Sequence, residues 1–350
     1  MSIICTHNSG FFSCCSVKLY NIINYINLNL KIPDYVDSSQ QFSWYKKNQN
    51  QDITYKYFEH YDNIKDISIN YPINYDWEYQ FVDYSKFDYN NIIPIIKKYF
   101  SPSKKIINII NNIEQKYNLI YDNICVLFYR GNDKITETEL CNYDEYLIYA
   151  NLIMKNNPNI LFLIQSDETE FINFITKKFP NNSFFFNDEI RHIPKTNSSV
   201  DIQMKDKNYK FSKYFLAITI IMSKCKYIIC GSGNCSMWIM FYRGNNNNVF
   251  QNLKGDWLIN NNNNVYQNLK DKLLDKHYDV DWKFIANEGD TVSNIALGTH
   301  IRYGATGVSW IESVNYHECF EVTNLHFNND PAPFVKKILQ VCIKCEKLNL

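Results

Sequence analysis

The chain predicts an α/β domain built on a parallel sheet with both faces covered, followed by a small β module. Three observations lead there. From residue 124 onward, short runs of β-branched and aromatic residues alternate with longer stretches of helical periodicity. The short runs are apolar at successive positions, so both faces of each strand are buried, as in parallel strands joined by helices. Beyond Asp281 the pattern changes to short segments punctuated by glycine and rich in aromatics, which reads as β structure.

In chain order, residues 1–121 are rich in Tyr, Asn and Asp and form an N-terminal α/β domain. Helices are predicted over 16–26 and 103–117, the second with Ile106, Ile107, Ile109, Ile110 and Ile113 near helical spacing. Residues 122–277 form the second domain. Its strands are predicted over 125–129, 160–165, 183–186 and 226–230, and its helices over 143–155, 168–178, 210–224 and 235–242. Ligands gather at the carboxyl ends of such strands. Residues 245–254 read NNNNVFQNLK and 261–270 read NNNNVYQNLK. Two units are too few for a solenoid, so 245–268 reads as an Asn-rich surface loop carrying a local duplication. Residues 278–350 are the β module.

The 350 residues carry 36 Lys plus Arg against 36 Asp plus Glu, so no global field draws nucleic acid or an anionic membrane. No apolar run approaches the roughly 18 residues of a membrane helix; 215–222 is interrupted by Thr219. The opening Met1-Ser2-Ile3-Ile4-Cys5 lacks the basic segment and apolar core of a secretory signal, and the 11 cysteines are odd in number. These features predict a cytoplasmic chain with mostly free thiols and no integral membrane segment. The excess of Asn, Ile, Tyr, Phe and Lys follows AT-rich codon usage rather than function.

Three strand ends carry candidate chemistry. In FYRGNDK, Arg130 leaves a buried strand with Asp133 and Lys134 close behind; its planar donor fork suits a phosphate. The same residues also fit a solvated turn in which Arg130 pairs with Asp133. In CGSGNCS, Gly231, Ser232, Gly233, Asn234 and Ser236 open a helix whose free amides suit a diphosphate, or simply make a capped tight turn. In QSDE, Ser166 and Asp167 could meet a ribose or base, while Glu168 could merely favour a helix start. Glu137 and Glu139 are candidates to accept a proton from a hydroxyl nucleophile.

Metal chemistry finds little footing. Cys342-Ile343-Lys344-Cys345 is a single CxxC, the histidines are scattered, and Asp279-Val280-Asp281 sits in a linker. No nucleophile elbow, P-loop or HExxH segment occurs.

Taken in order, FYRGNDK, QSDE and SKCKYIICGSGNCSMW over 122–243 resemble the donor-binding half of the GT-B fucosyltransferases, the group of α-1,6- and protein O-fucosyltransferases. The resemblance implies a GT-B-like chain of two Rossmann-type domains with a nucleotide-sugar cleft, plus a small C-terminal all-β module. It implies Arg130 on the β-phosphate, Asp133, Lys134, Ser166, Asp167 and Gly231 to Ser236 around the donor, and Glu137 as base. Asn8-Ser9-Gly10-Phe11-Phe12-Ser13 resembles the first loop facing the donor, placing Gly10 and Phe11 on the acceptor side of the cleft. Phe128 stands where the family has His, Gly131 where some members have a second Arg, and Ile218 where members read guanine with Asp.

The implied function is inverting, metal-independent transfer of fucose from GDP-fucose to a glycan or glycoprotein hydroxyl, with no cofactor beyond the donor substrate. Transfer from another nucleotide sugar, and glycan binding by a catalytically decayed chain, are the alternatives. The stretch from Trp282 to Ala332 resembles a small β module appended to carbohydrate-active enzymes. Its Tyr303 and Trp310 suit either a glycan-binding face or core packing, and in secreted relatives the equivalents of Cys319 and Cys342 are paired.

Overall fold

The computed structural model describes residues 2–63, 67–187, 191–260, 282–296, 299–305, 309–315, 317–327 and 336–342. The chain divides into two compact units, Met1–Asn264 and Val265–Leu350.

In the first unit β1 (Ser2–Ile4) pairs in parallel with β2 (Tyr35–Asp37) across α1 (Phe11–Asn29). Helix α1 buries Phe11, Phe12, Leu19, Ile22, Ile23 and Ile26 at helical spacing and stops at Leu30 in the left-handed conformation. After the short α2 (Thr54–Tyr57) come α3 (Tyr89–Tyr99) and α4 (Lys104–Tyr117). Helix α4 buries Ile106, Ile110 and Ile113 and ends at left-handed Asn118. Where the resemblance implies a second Rossmann-type sheet, the described part of 1–121 holds this single parallel pair. The rest of that region is helix, 3-10 turn and loop, packed through aromatic side chains such as Tyr45, Tyr57, Tyr84 and Tyr99 rather than strand ladders.

The larger sheet is made by β3 (Ile124–Tyr129), β4 (Leu161–Ser166), β5 (Ser183–Phe184), β6 (Tyr227–Gly231), β7 (Val249–Leu253) and β8 (Asp256–Asn260), in the order β5-β4-β3-β6-β7-β8. All pairings are parallel except β7 with β8. The connections carry α5 (Tyr143–Asn156), α6 (Thr169–Lys178), α7 (Val200–Gln203), α8 (Asn208–Lys224) and α9 (Asn234–Arg243). Every residue of central strand β3 is buried, as its unbroken apolar run requires.

One expectation is overturned in part. The first copy of the Asn-rich repeat is a surface turn only over its NNNN half; its VFQNL half is β7, buried between β6 and β8. Val249 and Phe250 supply the apolar burial, and the buried side-chain amide of Gln251 is usable in a strand because it bonds Val82 and Tyr84 and the Ser232 hydroxyl, while the Asn252 main-chain carbonyl accepts from Ser232. The second copy, at 261–270, lies outside the described residues, as do Asp279-Val280-Asp281 and residues 343–345 of the CxxC.

In the second unit β9 (Trp282–Asn287), β11 (His300–Ala305), β12 (Ser309–Val314) and β14 (Ile338–Cys342) form an antiparallel sheet in the order β12-β11-β14-β9. Strands β10 (Thr291–Ser293) and β13 (Cys319–Glu321) form a second antiparallel pair. Tyr303 is a core residue, fully buried and stacked on Phe327 with ring centroids 4.6 Å apart, which removes it from any glycan-binding face. The side chain of Trp310 lies outside the described residues. Cys319 is an exposed free thiol, not a bridge to Cys342; the two residues sit on strands of different sheets. Among the described residues no helix is long and apolar enough to cross a membrane.

Candidate active site

The site forms at the carboxyl ends of β3, β4 and β6. Arg130 follows β3 directly, and its guanidinium is held from two sides: Nε donates to Asp167 Oδ2 at 2.8 Å and an NH2 donates to Asp133 Oδ1 at 3.1 Å. Burial alone would weaken its charge, but the adjacent Asp167 and Asp133 raise its pKa above the ordinary value, so it stays a cation. Asp167, 4% exposed, uses its second oxygen to accept from Gly131 N at 2.9 Å. Both of its oxygens are therefore engaged in positioning Arg130 and the end of β3, and its side chain also lines a pocket.

Glu168 is likewise more than a helix-start residue. It is buried, accepts from Asn132 N at 2.8 Å and takes the Tyr143 hydroxyl on its other oxygen. A Cβ on Gly131 would lie 2.0 Å from Glu168 Oε1 and 2.7 Å from Tyr129 Cε1. A side chain at 131 would collide with the anchored Glu168 carboxylate and the Tyr129 ring. Asn132 extends the lattice, donating to Asp167 O at 2.7 Å and accepting from Thr196 N at 2.8 Å.

The loop after β6 is fixed by residues far away in the chain. Ser232 N and Oγ both donate to Asn252 O, at 2.8 and 2.7 Å. Gln251 donates to Ser232 Oγ and to Val82 O at 2.8 Å each, and accepts from Tyr84 N at 2.9 Å. Gly233 N donates to the buried Tyr84 hydroxyl at 3.2 Å. Asn234 donates to Gln80 Oε1 at 2.9 Å, and its Oδ1 lies 2.7 Å from Ser16 Oγ on α1. Ser236 Oγ donates to Gly231 O at 2.6 Å. With Ser232 N and Gly233 N occupied, the amides of Asn234, Cys235 and Ser236 in the first turn of α9 have no partner among the described residues. They form the anion-accepting end of that helix.

A cleft of about 320 Å³ unites Gly10, Phe11, Arg130, Asp133, Lys134, Glu137, Gly233, Asn234 and Ser236. The volume falls in the range of small-molecule sites, roughly 300 to 1,000 Å³. Lys134 is nearly buried and ion-paired with Glu137; burial, then the neighbouring Arg130, lowers its pKa below the ordinary value. Ser166 and Asp167 lie instead on a smaller inner pocket of about 30 Å³, beside Phe128, Arg130 and Ile218. Gly231 and Ser232 back onto another small cavity, shared with Glu139. Glu137 is thus the glutamate that faces the cleft.

Sequence reasoning missed Asp201 and Arg191. They form an ion pair, and both line the inner pocket, with Asp201 reaching the main cleft. Arg191 also sits over the Phe215 ring at 4.5 Å. Arg191 comes from an irregular segment after β5 and Asp201 from the four-residue α7, too short to show a periodicity.

No protein-family model matches the chain, and none of the curated proteins matches it. Among solved structures it is similar to a NodZ α-1,6-fucosyltransferase soaked with GDP-fucose, at 10% identity and TM-score 0.45, covering 74% of this chain and 99% of that one. It is also similar to the same enzyme co-crystallised with GDP, at 12% identity and TM-score 0.43, covering 74% and 98%. A third similar structure is the fucosyltransferase NodZ from Bradyrhizobium, at 11% identity and TM-score 0.41, covering 69% and 91%. The functional reading rests on the residues of the site itself.

Proposed function

We propose that the chain is a GT-B-type glycosyltransferase that moves fucose from GDP-fucose to a glycan or protein hydroxyl, with inversion and without a metal ion. The observation that carries this reading is the convergence of Arg130, Lys134 and the unpartnered amides of α9 on one cleft that Gly10 and Phe11 also line. Together they offer two cations and a helix N-terminus to a diphosphate, the charge compensation a metal supplies in other transferases.

Glu137 takes the proton of the acceptor hydroxyl as its oxygen attacks the anomeric carbon. The bond from that carbon to the diphosphate oxygen breaks on the opposite face, and Arg130 and the α9 amides receive the negative charge. Before the donor binds, Lys134 holds Glu137 in an ion pair. A diphosphate draws Lys134 toward itself and leaves the Glu137 carboxylate free for the acceptor. Beside the cleft, Phe128, Phe215, Ile218, Ser166 and the Arg191–Asp201 pair line the inner pocket, whose volume of about 30 Å³ is water-sized, so a base lies in the larger cleft.

The test is isothermal titration with GDP, UDP and GDP-fucose in EDTA. Selective GDP binding that disappears in Arg130→Ala is expected. Failure of every nucleotide to bind, or binding indifferent to that substitution, would remove the transferase reading.

A further inference from the structure

Away from the cleft, four lysines from four different segments converge. Lys213 of α8 has its ammonium 3.7 Å from the centroid of the Tyr209 ring, Lys47 lies 5.0 Å from that centroid and Lys56 of α2 lies 5.5 Å from it. Lys105 of α4 adds its charge to the same place, acting on Lys213. Lys213 is 5% exposed, with Nζ donating to Tyr209 O at 2.6 Å and lying 5.1 Å from the Tyr57 ring centroid. None of the four has a carboxylate partner among the described residues; the one polar side-chain contact is Lys56 with Gln51 Oε1 at 2.7 Å.

We propose that Lys47, Lys56 and Lys213, gathered on the Tyr209 ring, form a second anion site that takes a phosphate or sulfate group. The chain has as many acids as bases, so carboxylates to neutralise this cluster were available, yet none is placed there. Like charges held together repel, and a multiply charged oxyanion is the ligand that turns this repulsion into attraction. Lys213 already registers the strain: burial, and then Lys105, Lys56 and Lys47, lower its pKa to about 8. Each ammonium group lies within cation–π reach of the one Tyr209 ring, which holds the three near each other. The proposal does not depend on the transferase reading.

The test uses the full chain and isothermal titration with inorganic phosphate, inorganic sulfate, glucose 6-phosphate and N-acetylglucosamine 6-sulfate. The double variant Lys47→Ser/Lys56→Ser alters residues at or near the surface and keeps the fold, as circular dichroism checks. Binding that weakens at least about tenfold in this variant is expected, the loss appropriate to removing charge-assisted contacts. Tighter binding of the esters than of the inorganic ions assigns the site to a sugar-borne group, and equal or weaker binding assigns it to a free ion. No binding of any of the four, or binding unchanged in the double variant, overturns the site whatever GDP does.

Discussion

Asp167 clamps both sides of the corner at which β3 ends, taking Arg130 Nε on one carboxylate oxygen at 2.8 Å and Gly131 N on the other at 2.9 Å. The aim of the arginine is thereby fixed before any ligand arrives, and a preorganised cation does not have to be ordered when charge develops.

Asp167→Asn replaces one acceptor oxygen by an NH2 group that faces either the guanidinium or the Gly131 amide, donor against donor. Stability should fall by about 1–3 kcal/mol in urea unfolding, the cost of an unsatisfied buried donor. GDP affinity should drop about tenfold in titration as Arg130 loses its aim. Unchanged GDP affinity would detach Asp167 from the positioning of Arg130.

Gly131→Ala drives a methyl into Glu168, whose carboxylate is anchored by Asn132 N and Tyr143 and cannot swing aside without losing both. Overpacking of this kind costs about 1–3 kcal/mol. Denaturant midpoints of the two proteins measure it, and equal midpoints would show that the corner is looser than its contacts imply.

Lys134 and Glu137 should separate binding from turnover. Lys134→Met is expected to weaken GDP about tenfold through loss of a charge-assisted contact. Glu137→Gln should leave GDP affinity intact while transfer falls about 10²- to 10⁴-fold, the range for losing a general base. Comparable turnover by Glu137→Gln and the unaltered protein would send the search for a base elsewhere.

Lys213 gives a pH signature. Its folded pKa of about 8 lies below the ordinary 10.5, so between these values the unfolded chain holds the proton more tightly than the folded one. Stability relative to Lys213→Met should be flat below pH 8 and rise from there toward 10.5. Urea unfolding of both proteins across that window checks it, and parallel stability curves would count against the depressed value.

Ser16→Ala removes the hydroxyl that accepts from Trp238 Nε1 at 2.9 Å and sits 2.7 Å from Asn234 Oδ1. The indole N–H is left buried without a partner, at a cost of about 1–3 kcal/mol. The melting temperature of the variant should fall accordingly, and an unshifted transition would mean that Trp238 repacks onto a new acceptor.

The sheet was legible because Val126-Leu127-Phe128-Tyr129 and Tyr227-Ile228-Ile229-Cys230 are apolar without interruption, a pattern exposed loops do not sustain. Arg130 and the CGSGNCS turn were legible as strand ends, and both line the cleft, through Arg130, Gly233, Asn234 and Ser236. What Asp167 does was not legible, since a carboxylate after a strand reads alike whether it meets a ligand or an arginine 37 positions away. Strand β7 was hidden because NNNN looks like loop, and only its pairing with β6 shows that VFQNL is core. Tyr84 and Gln80 come from a stretch with no period of its own, and their partners lie 167 and 154 residues downstream.

Gln251 ties residues 82 and 84 to the loop at 232 with one side chain. Since a ribosome makes the chain from its N-terminus, Arg130 and α9 are synthesised before the strap that fixes the loop beside them. The cleft therefore gains its final shape only after the strand containing Gln251 has left the ribosome and joined the sheet. A nascent chain stalled before that point has the cations of the site in its sequence and no competent place to use them.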